Sequence, residues 1–501
     1  MGLQVYNTLT RTKGPFETVE PRKVGIYLCG PTVYKPSHIG HAVGPIIFDA
    51  IKRYLVYRGY EVTWVVNITD VDDKLIIEAA KEGTSTAELA ERITKDYLAA
   101  MAELNIDGID IMPKASEHIG DIVSMIKKLE DKGIAYVSGG DVYFDVTQDE
   151  DYGKLSNRKI DDQTGQRDLQ SAEKRNPGDF ALWKAAKQDE PDEVKYDSPW
   201  GKGRPGWHIE CSAMSVRYLG ETLDIHGGGM DLVFPHHENE IAQSESAHDK
   251  PFAKYWMHNG LTRVNTKKIS KSDATPEMQA ALMKMTLHNL LDEYPGELIR
   301  YFVLSTHYRS PIEYSEVEIE SKRKGLHSFY RLFERVERVC GVSPYDDVPR
   351  VEDSAKVDVA DASLAGLCDD QRAAFEAAMD DDFNTGTAIA SLFDFATGIN
   401  RFIEQNGLET GGADQFKQAA LKATSRLIAT ARLIGLFLKP PERAGAGDDG
   451  VADKVMQVLI EVRQHLRKKK DFETADLIRD RLADNHITLE DRAGATTWRL
   501  G

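Results

Sequence analysis

The chain of 501 residues is long enough for several domains, each with its own hydrophobic core. Acidic residues outnumber basic ones by 81 to 63, so the formal net charge of −18 restricts any polyanionic partner to a locally basic surface. No apolar run has transmembrane length, no N-terminal signal pattern is visible, and four scattered cysteines do not resemble a disulfide framework, which together favour a cytoplasmic protein.

The first predicted elements are a strand, a turn and a helix. Residues 24–28 form a short apolar strand, and apolar residues recur at helical spacing over 42–57. Between them lies His38-Ile39-Gly40-His41, after a Pro/Gly turn. Free backbone N–H groups and the helix dipole make such a helix start an anion-binding corner, and both imidazoles would add donors for phosphate oxygens. Taken alone, the pattern is more often two ordinary loop histidines.

A second strand is predicted at 61–68, directly after the helix. A strand, a helix and a strand in this order form a βαβ unit, and its crossover favours a parallel sheet. From about Ile122 the pattern changes to a charged helix (122–132), a short strand pair and a polar stretch, and strand–helix alternation resumes at Pro205. We therefore predict an α/β fold whose Rossmann-type parallel-sheet catalytic domain is split by a connective insertion. The segments are 1–121, 122–199 and 200–290.

The rest of the chain predicts an α-helical C-terminal appendage. After about Leu298 the pattern is almost wholly helical, and two acidic or Gly/Pro-rich stretches divide it. The last part contains a helix pair and a possible strand at 487–490. The segments are a helical region at 291–345, a bundle at 362–438 and a final domain at 454–501.

Four residues have the chemistry of a zinc site. His236 and Glu240 lie four residues apart after Pro235, so both side chains would share one helix face. Together with Cys29 and Cys211 they offer two thiolates, an imidazole and a carboxylate, which are donors that zinc binds in tetrahedral geometry. Neither cysteine stands in a CxxC pair, and buried free cysteines remain the competing explanation.

Several motifs resemble known signatures. His38-Ile39-Gly40-His41, followed far downstream by Lys268-Ile269-Ser270-Lys271-Ser272, resembles the paired signatures of class I aminoacyl-tRNA synthetases. Four longer stretches resemble the cysteinyl-tRNA synthetases, occur in that family's order and cover most of the catalytic half. They are CGPTVYKPSHIGHA from Cys29, NITDVDDK from Asn67, SPWGKGRPGWHIECSAM from Ser198 and DIHGGGMDLVFPHHENEIAQSE from Asp224.

This resemblance implies one zinc ion per chain, bound by Cys29, Cys211, His236 and Glu240, with His237 in a structural role. Zinc prefers a thiolate to an alcohol, which would separate cysteine from serine, two amino acids that differ by one atom. A site with four protein ligands is normally closed, so its coordination would have to expand to admit the substrate thiol.

Other residues match the family's substrate positions. Thr69, Trp207 and Asp231 would line the cysteine pocket, with Asp231 near the substrate's ammonium group. A polar turn residue, a core aromatic and a helix cap are the ordinary explanations of these three. The acidic run at 70–73 (DVDD) is interpreted as a solvated turn and helix start rather than as a magnesium site.

The resemblance also implies a two-step reaction. The cysteine carboxylate attacks the α-phosphate of ATP, which carries Mg2+, and the cysteinyl-adenylate then transfers its cysteinyl group to the terminal adenosine of tRNA(Cys). Positioning and charge stabilisation would supply most of the first step. His38 and His41 would stabilise the α-phosphate, and Lys268 and Lys271 would hold the outer phosphates from a mobile loop. The implied ATP-binding residues are these four together with Gly227, Gly228 and Gly229, which let the backbone approach adenosine closely.

For RNA, the resemblance implies a stem-contact region at 300–310, a tRNA-binding bundle and an anticodon-binding domain at the end of the chain. The basic run 467–470 (RKKK) lies before Trp498, which could stack on an unpaired base. A solvated face and a core tryptophan are the alternatives. The expected partners are tRNA(Cys), L-cysteine and ATP, with no membrane, for a monomer.

Three other functions compete with this prediction. The ligase of the mycothiol pathway also makes cysteinyl-adenylate, but it transfers cysteine to a sugar amine and needs no anticodon-binding domain. A catalytically silent RNA-binding relative should have lost signature histidines, loop lysines or zinc ligands, and none is missing here. A small nucleotidyltransferase with an HxGH motif is inconsistent with the chain length and the zinc quartet.

Overall fold

The structure is a computed structural model that describes residues 2–158, 174–188, 190–264, 267–268, 285–441, 449–485, 487–492 and 495–500. It divides into two compact units, residues 1–439 and 440–501. The strands of the described residues are β1 (Gln4–Asn7), β2 (Thr12–Pro15), β3 (Lys23–Leu28), β4 (Glu61–Val66), β5 (Ala135–Ser138), β6 (Asp141–Phe144), β7 (Phe180–Ala185), β8 (Gly203–Pro205), β9 (Leu223–Gly229), β10 (Ala253–Asn259), β11 (Thr262–Val264), β12 (Lys267–Lys268), β13 (Ile312–Tyr314), β14 (Ile487–Arg492) and β15 (Ala495–Leu500).

Helices make up most of the remaining secondary structure. Among the described residues, no helix is both long enough and apolar enough to cross a membrane. The α-helices in these parts of the chain are α1 (Ile39–Tyr57), α2 (Asp73–Glu82), α3 (Thr86–Glu103), α4 (Ile119–Asp131), α5 (Trp207–Leu219), α6 (Glu238–His248), α7 (Leu287–Glu293), α8 (Gly296–Leu304), α9 (Glu316–Cys340), α10 (Ala362–Asp380), α11 (Thr385–Gln405), α12 (Asp414–Ala431), α13 (Asp449–Lys468) and α14 (Phe472–Asp484).

A four-stranded parallel sheet lies at the centre of the first unit. Its strand order is β10-β9-β3-β4, and Ile26 of β3 pairs with Ile225 of β9 on one side and Trp64 of β4 on the other. Helix α1 connects β3 to the parallel strand β4, as the predicted βαβ unit requires. The prediction of an α/β fold with a Rossmann-type parallel sheet is confirmed.

Helix α1 begins at Ile39, earlier than the apolar periodicity predicted, because His38 caps it. The Nδ1 atom of His38 accepts a hydrogen bond from the Gly40 N–H at 3.1 Å. The helix is buried over most of its length, and apolar residues such as Ile46 and Phe48 belong to the largest core of the unit. This packing fixes the N-terminus of α1 at the carboxyl end of β3.

The insertion forms an antiparallel sheet of order β5-β6-β7-β8. Strand β7 was not predicted, because its short apolar run lies within a polar stretch. Its Leu182 is fully buried and packs in one cluster with Ile126 of α4 and Ile209 of α5. The insertion therefore buttresses the helix that carries Cys211. Residues 159–173, part of the predicted polar stretch, lie outside the described residues.

The C-terminal part is helical, as predicted. Helices α9 to α12 share the largest core with α1, and Phe329, Phe333 and Phe437 meet within it. The second unit contains α13, α14 and the antiparallel hairpin β14-β15 around a small core of Met456, Ile460 and Leu489. The predicted strand at 487–490 is confirmed, and its partner β15 was not predicted.

Candidate active site

Four potential metal ligands converge beside the carboxyl end of β3. Cys29 follows β3, Cys211 lies in α5, His236 lies in the helical turn before α6, and Glu240 lies in the first turn of α6. One ligand atom from each lies within 4.8 Å of all the others. The Cys29 Sγ is 3.9 Å from the Cys211 Sγ and 3.5 Å from the Glu240 Oε1, which is 3.0 Å from the His236 Nε2. Residues more than 200 positions apart thus form one donor set.

A tight backbone contact holds Cys29 in place. A Cβ atom on the next residue, Gly30, would lie 1.7 Å from the Asn67 carbonyl oxygen, so only glycine fits here without a shift of the backbone. The Gly30 N–H also donates to the Asn67 Oδ1 at 2.9 Å. The ends of β3 and β4 are therefore locked together directly beside the candidate ligand.

The charges of the four residues suit a divalent cation. A hydrogen bond from Cys29 lowers the pKa of Cys211 to about 6, whereas burial raises the pKa of Cys29 well above its usual value. Burial opposes the ionisation of Glu240, but the charges of His226 and His236 hold its pKa well below the usual range. Burial also opposes the charged form of His236, yet Glu240 raises its pKa to about 10. A metal ion would take the place of the protons on His236 and Cys29, and the thiolate, imidazole and carboxylate donors fit zinc.

A second, overlapping set shares Cys29 and Glu240 and adds His226 and His237. The His226 Nε2 lies 2.7 Å from the Glu240 Oε2, and the His237 Nε2 lies 3.3 Å from the Cys29 Sγ. The His237 Nδ1 lies 2.8 Å from the Nε2 of His258. Burial lowers the pKa of His237 well below its usual value and that of His258 to about 3, so both rings are neutral. His226 thus contacts Glu240 and His237 contacts Cys29, in the manner of the outer partners that orient metal ligands.

Sequence reasoning did not single out His226 and His258 as site residues. They lie on β9 and β10, which are neighbouring parallel strands. The rule that sites form at the carboxyl ends of parallel strands was the available signal, because both strands end close to these residues.

Trp207 contacts the ligand set directly. Its ring stacks on His236 with a centroid separation of 4.1 Å. The His208 Nδ1 lies 2.8 Å from the His236 Nδ1, which leaves the Nε2 facing Glu240. Two consecutive residues at the start of α5 therefore orient the imidazole.

Thr69 is linked to the corner that holds the four candidate ligands. The Asn67 Nδ2 donates to the Thr69 Oγ1 at 3.1 Å, and the same Asn67 side chain binds Gly30 beside Cys29. Thr69 is 1% exposed. Asp231 lies exposed in the turn after β9. The structure therefore ties Thr69 to the backbone contact beside Cys29, and the role of Asp231 at the substrate's ammonium group stays a prediction.

The acidic run at 70–73 starts a helix, as interpreted, but it is not simply solvated. Asp72 caps α2. Asp70 accepts hydrogen bonds from the backbone N–H and the hydroxyl of Ser116, and Asp73 pairs with the buried Arg204 at 2.7 Å. The contact with Arg204 of β8 joins the start of α2 to the sheet of the insertion.

Glu210 is a buried carboxylate that sequence reasoning did not identify. It lies in the first turn of α5 and is fully buried, and neither carboxylate oxygen has a hydrogen-bond partner among the described residues. Burial raises its pKa well above the usual value, and the neighbouring charges of Cys211, Asp72 and Asp70 add to this effect.

The two signature histidines form the cap of α1. The His38 N–H donates to the His41 Nδ1 at 3.2 Å, and the two rings stack with centroids 4.0 Å apart. Both side chains are half-buried. The Ile39 N–H donates to the Met285 carbonyl at 3.2 Å, so the chain that follows the predicted signature loop packs against this cap.

Part of the signature loop lies outside the described residues. Lys268 lies in β12, where its backbone pairs with Arg263 of β11, and its side chain is not described. Lys271 lies outside the described residues altogether. The predicted roles of both lysines stay predictions.

Close packing explains why two residues at the end of β9 are glycines. A Cβ atom on Gly227 would lie 2.1 Å from the Phe48 ring of α1, and one on Gly228 would lie 2.6 Å from the His237 ring. Both glycines therefore permit close packing against the signature helix and the histidine cluster. Adenosine binding by Gly227, Gly228 and Gly229 stays a prediction.

The second unit carries an exposed basic surface. The four residues of the run 467–470, which spans the end of α13, are all exposed, and Phe472, which follows it, is 54% exposed. Trp498 is half-buried and packs against the core around Met456 and Leu489. Phe472 is thus the more accessible aromatic side chain beside the basic run.

Family comparisons divide the chain into three matched regions. Residues 15–324 match the tRNA synthetases class I (C) catalytic domain, and residues 374–439 match the DALR domain. Residues 452–499 match the cysteinyl-tRNA ligase anticodon binding domain.

Curated relatives match along the whole chain. The cysteine–tRNA ligase of Pelotomaculum thermopropionicum is 44% identical over 519 residues, and the match covers 99% of each chain. Those of Desulfitobacterium hafniense and Syntrophotalea carbinolica are 44% and 45% identical and match over 100% of each chain. The methionyl-tRNA synthetase of Mycobacterium tuberculosis in complex with methionyl-adenylate has a TM-score of 0.57 at 15% identity, covering 82% of this chain and 89% of that one, and so shares the fold.

Proposed function

The chain belongs to the cysteinyl-tRNA synthetases and ligates cysteine to tRNA with ATP, and we propose that Cys29, Cys211, His236 and Glu240 hold a zinc ion for selecting the cysteine. The convergence of their four ligand atoms within 4.8 Å carries this proposal. Bound there, zinc would supply a Lewis acid that prefers a thiolate to an alcohol and lowers the pKa of the substrate thiol.

The residues around the ligand set form the rest of the cysteine pocket. Trp207 supports one wall by stacking on His236, and Thr69 supports another through Asn67. Asp231 is proposed from the family resemblance alone. The buried ligands exclude water from the site. A serine hydroxyl would therefore lose its hydration on binding, and its weak contact with zinc would not compensate for that loss.

Adenylate formation takes place at the neighbouring start of α1. A carboxylate oxygen of cysteine attacks the α-phosphorus of ATP, and the bond to the pyrophosphate group breaks. His38 and His41 face this step from a helix N-terminus, where N–H groups and the dipole stabilise negative charge. Mg2+ would accompany ATP, Lys268 and Lys271 would hold its outer phosphates, and Gly227, Gly228 and Gly229 would lie against the adenosine.

Transfer requires the tRNA to reach this site. The 2′-hydroxyl of the terminal adenosine attacks the cysteinyl carbonyl, and AMP leaves. We assign tRNA contacts to the stem-contact region (291–345) and the bundle (362–438), and anticodon contacts to the final domain (454–501). In that domain the exposed run 467–470 and Phe472 support phosphate contact and base stacking. We further propose that the protein acts as a cytoplasmic monomer.

The test is tRNA charging by zinc-replete protein, with cysteine and serine offered separately. We expect cysteine alone to be charged, and the Cys211→Ala variant to lose both zinc and charging. Adenylate formation without tRNA charging would instead favour the sugar-amine ligase. Activation of neither amino acid would favour a silent RNA-binding relative.

A further inference from the structure

Arg158 carries a positive charge beside the candidate metal site that has no role in the function proposed so far. It ends a loop of the insertion, residues 152–158, and it is exposed. Its guanidinium carbon lies 4.5 Å from the centroid of the Phe234 ring. Phe234 is half-buried and lies between the exposed Asp231 and the buried candidate ligand His236. Arg158 therefore lies where the candidate metal site meets the protein surface.

The loop is fixed to α6, the helix that carries the candidate ligand Glu240. The buried carboxylate of Glu238, in the first turn of α6, accepts hydrogen bonds from three backbone N–H groups within residues 153–156 at 2.7 to 3.2 Å. The Tyr152 hydroxyl donates to the Asn239 Oδ1 at 2.5 Å. Two consecutive residues of one helix thus determine where the loop lies.

The loop also closes on itself. The Asn157 N–H donates to the Gly153 carbonyl at 2.7 Å. A Cβ atom on Gly153 would lie 2.0 Å from the Arg158 carbonyl oxygen, and the φ of Gly153 is 97°, so this turn requires glycine. The backbone that carries Arg158 is therefore held in place before any ligand binds.

The stacked guanidinium is available to bind an anion. In the parts of the chain that the structure describes, no carboxylate lies within ion-pair distance of Arg158, whereas Lys154 of the same loop pairs with Glu245. An arginine that stacks on a ring keeps its N–H groups in the guanidinium plane, where they can form two parallel hydrogen bonds to a phosphate. On a chain with a net charge of −18, such a cation is a specific point of attraction for a polyanion.

Two polyanions have to reach this site, ATP and tRNA. The phosphates of ATP are assigned to the start of α1, and the thiol of cysteine to the four candidate ligands. The activated carbonyl group lies between these two places, so the 3′ end of the tRNA has to pass the surface around them. The loop contacts α6 and Phe234, on the side of the candidate ligands, so its cation faces the incoming RNA strand rather than the phosphates of ATP.

We propose that Arg158 binds a backbone phosphate of the unpaired 3′ end of the tRNA and so positions the terminal 2′-hydroxyl for transfer. The inference rests on the proposed function, because it requires the cysteinyl group to be held beside His236 and Glu240. Arg158 acts on tRNA binding and on transfer. It does not act on adenylate formation, since other residues hold ATP and cysteine.

The test compares two RNAs in binding to the zinc-loaded full-length protein: intact tRNA(Cys), and the same tRNA without its last three nucleotides. In R158A we expect the intact tRNA to bind about 3- to 10-fold more weakly and the shortened tRNA to bind as it does to the wild type. The slope of log Kd against log salt for the intact tRNA should fall by about 0.7, the value for one phosphate contact on a single strand. ATP–pyrophosphate exchange, zinc content and Tm should be unchanged.

Charge and geometry are separated by further variants. R158K keeps the charge without the paired N–H groups and should recover part of the binding, whereas R158E should bind the intact tRNA more weakly than R158A. R175A is a matched control, because it removes another arginine of the insertion that stacks on an aromatic ring, Tyr136, at 4.0 Å. K154A removes the paired lysine of the same loop. Neither control should change the difference between the two RNAs.

Equal weakening of both RNAs in R158A would move the contact to another part of the tRNA and overturn the proposal. A raised KM for ATP in pyrophosphate exchange would overturn it in favour of an ATP contact. Unchanged binding of both RNAs would leave Arg158 with a packing role on Phe234 only. Failure of the wild type to charge tRNA(Cys) with cysteine would instead refute the proposed function, and the binding difference between the two RNAs would still decide the role of Arg158.

Discussion

Two functional corners follow the same strand, β3, but are built in different ways. The metal corner (Cys29, Cys211, His236 and Glu240) draws its side chains from distant segments, and all but Cys29 are at least 98% buried. The signature corner (His38 and His41) is one local helix cap with half-buried rings. The metal corner is therefore made by tertiary packing, and the signature corner by backbone geometry.

This difference matches the task that we assign to each corner. Discriminating cysteine from serine requires a fixed donor set from which water is excluded, because the two substrates differ by one atom. Binding the phosphates of ATP requires donors at an accessible helix start. Damage to the metal corner should therefore affect metal content and selection together, whereas damage to the signature corner should lower the rate of adenylate formation without changing the metal content.

The largest expected effect is the loss of a metal ligand. Cys211→Ala removes one of two thiolates, and the buried one, from the donor set, so zinc binding and cysteine charging should fall by more than the roughly 100-fold typical of outer partners. Zinc content by mass spectrometry and charging assays test this. Cys368→Ala, in α10, removes a buried cysteine outside the metal corner and should leave both quantities unchanged. Full zinc content in Cys211→Ala would exclude Cys211 as a ligand.

Substitutions in the signature corner should lower the rate of adenylate formation. His38→Asn keeps a side chain that caps helices well but removes the imidazole, so the kcat of ATP–pyrophosphate exchange should fall about 100- to 1000-fold with zinc content and Tm unchanged. His38→Ala also removes the cap, and its free energy of unfolding should fall by about a further 1 kcal/mol. An unchanged exchange rate in His38→Asn would leave His38 with a capping role only.

A smaller effect on zinc affinity is expected for His226, which contacts a candidate ligand of the metal corner. The His226 Nε2 fixes one oxygen of Glu240 at 2.7 Å while the other faces the remaining ligands. His226→Gln should weaken zinc binding about 10- to 100-fold, as loss of an outer partner does. His118→Ala removes a buried histidine near Tyr218, outside the two overlapping ligand sets, and should not change zinc affinity. Equal zinc dissociation rates in His226→Gln and the wild type would contradict this role.

The same contrast explains what the sequence could predict. The signature corner is local: a strand, a turn and a helix with His38 at its start are readable from a short segment, although the cap moved the helix start to Ile39. The parallel sheet followed from the βαβ pattern around it. The metal corner is not local, because Cys29 and Cys211 meet only after the chain has folded. The residue types alone predicted a zinc-binding donor set, and only the family resemblance predicted that the four residues converge.

Other features were beyond the sequence for physical reasons. Glu210 is fully buried, whereas a glutamate in the first turn of a helix normally indicates a favourable interaction with the helix dipole at the surface. The Asp73–Arg204 contact depends on strand β8 of the insertion, whose position no local pattern encodes. The sequence left base stacking and core packing as alternatives for Trp498, and its contacts within the second unit favour core packing.

The smallest expected effect concerns the contact that holds the insertion against the pocket wall. Burial raises the pKa of Asp73, but the charges of Lys184 and Arg204 outweigh it and lower the pKa below its usual value. A lowered folded-state pKa means that the pair stabilises the protein above the unfolded-state pKa of about 3.9, and that this contribution is lost as the pH falls through the folded value. Asp73 is about half exposed, so Asp73→Asn should cost less than about 1 kcal/mol at pH 7, with the difference vanishing in acid. Thermal unfolding of both proteins from pH 7 down to pH 2 tests this, and a difference that stays undiminished as the pH falls would show that Asp73 acts by shape rather than by charge.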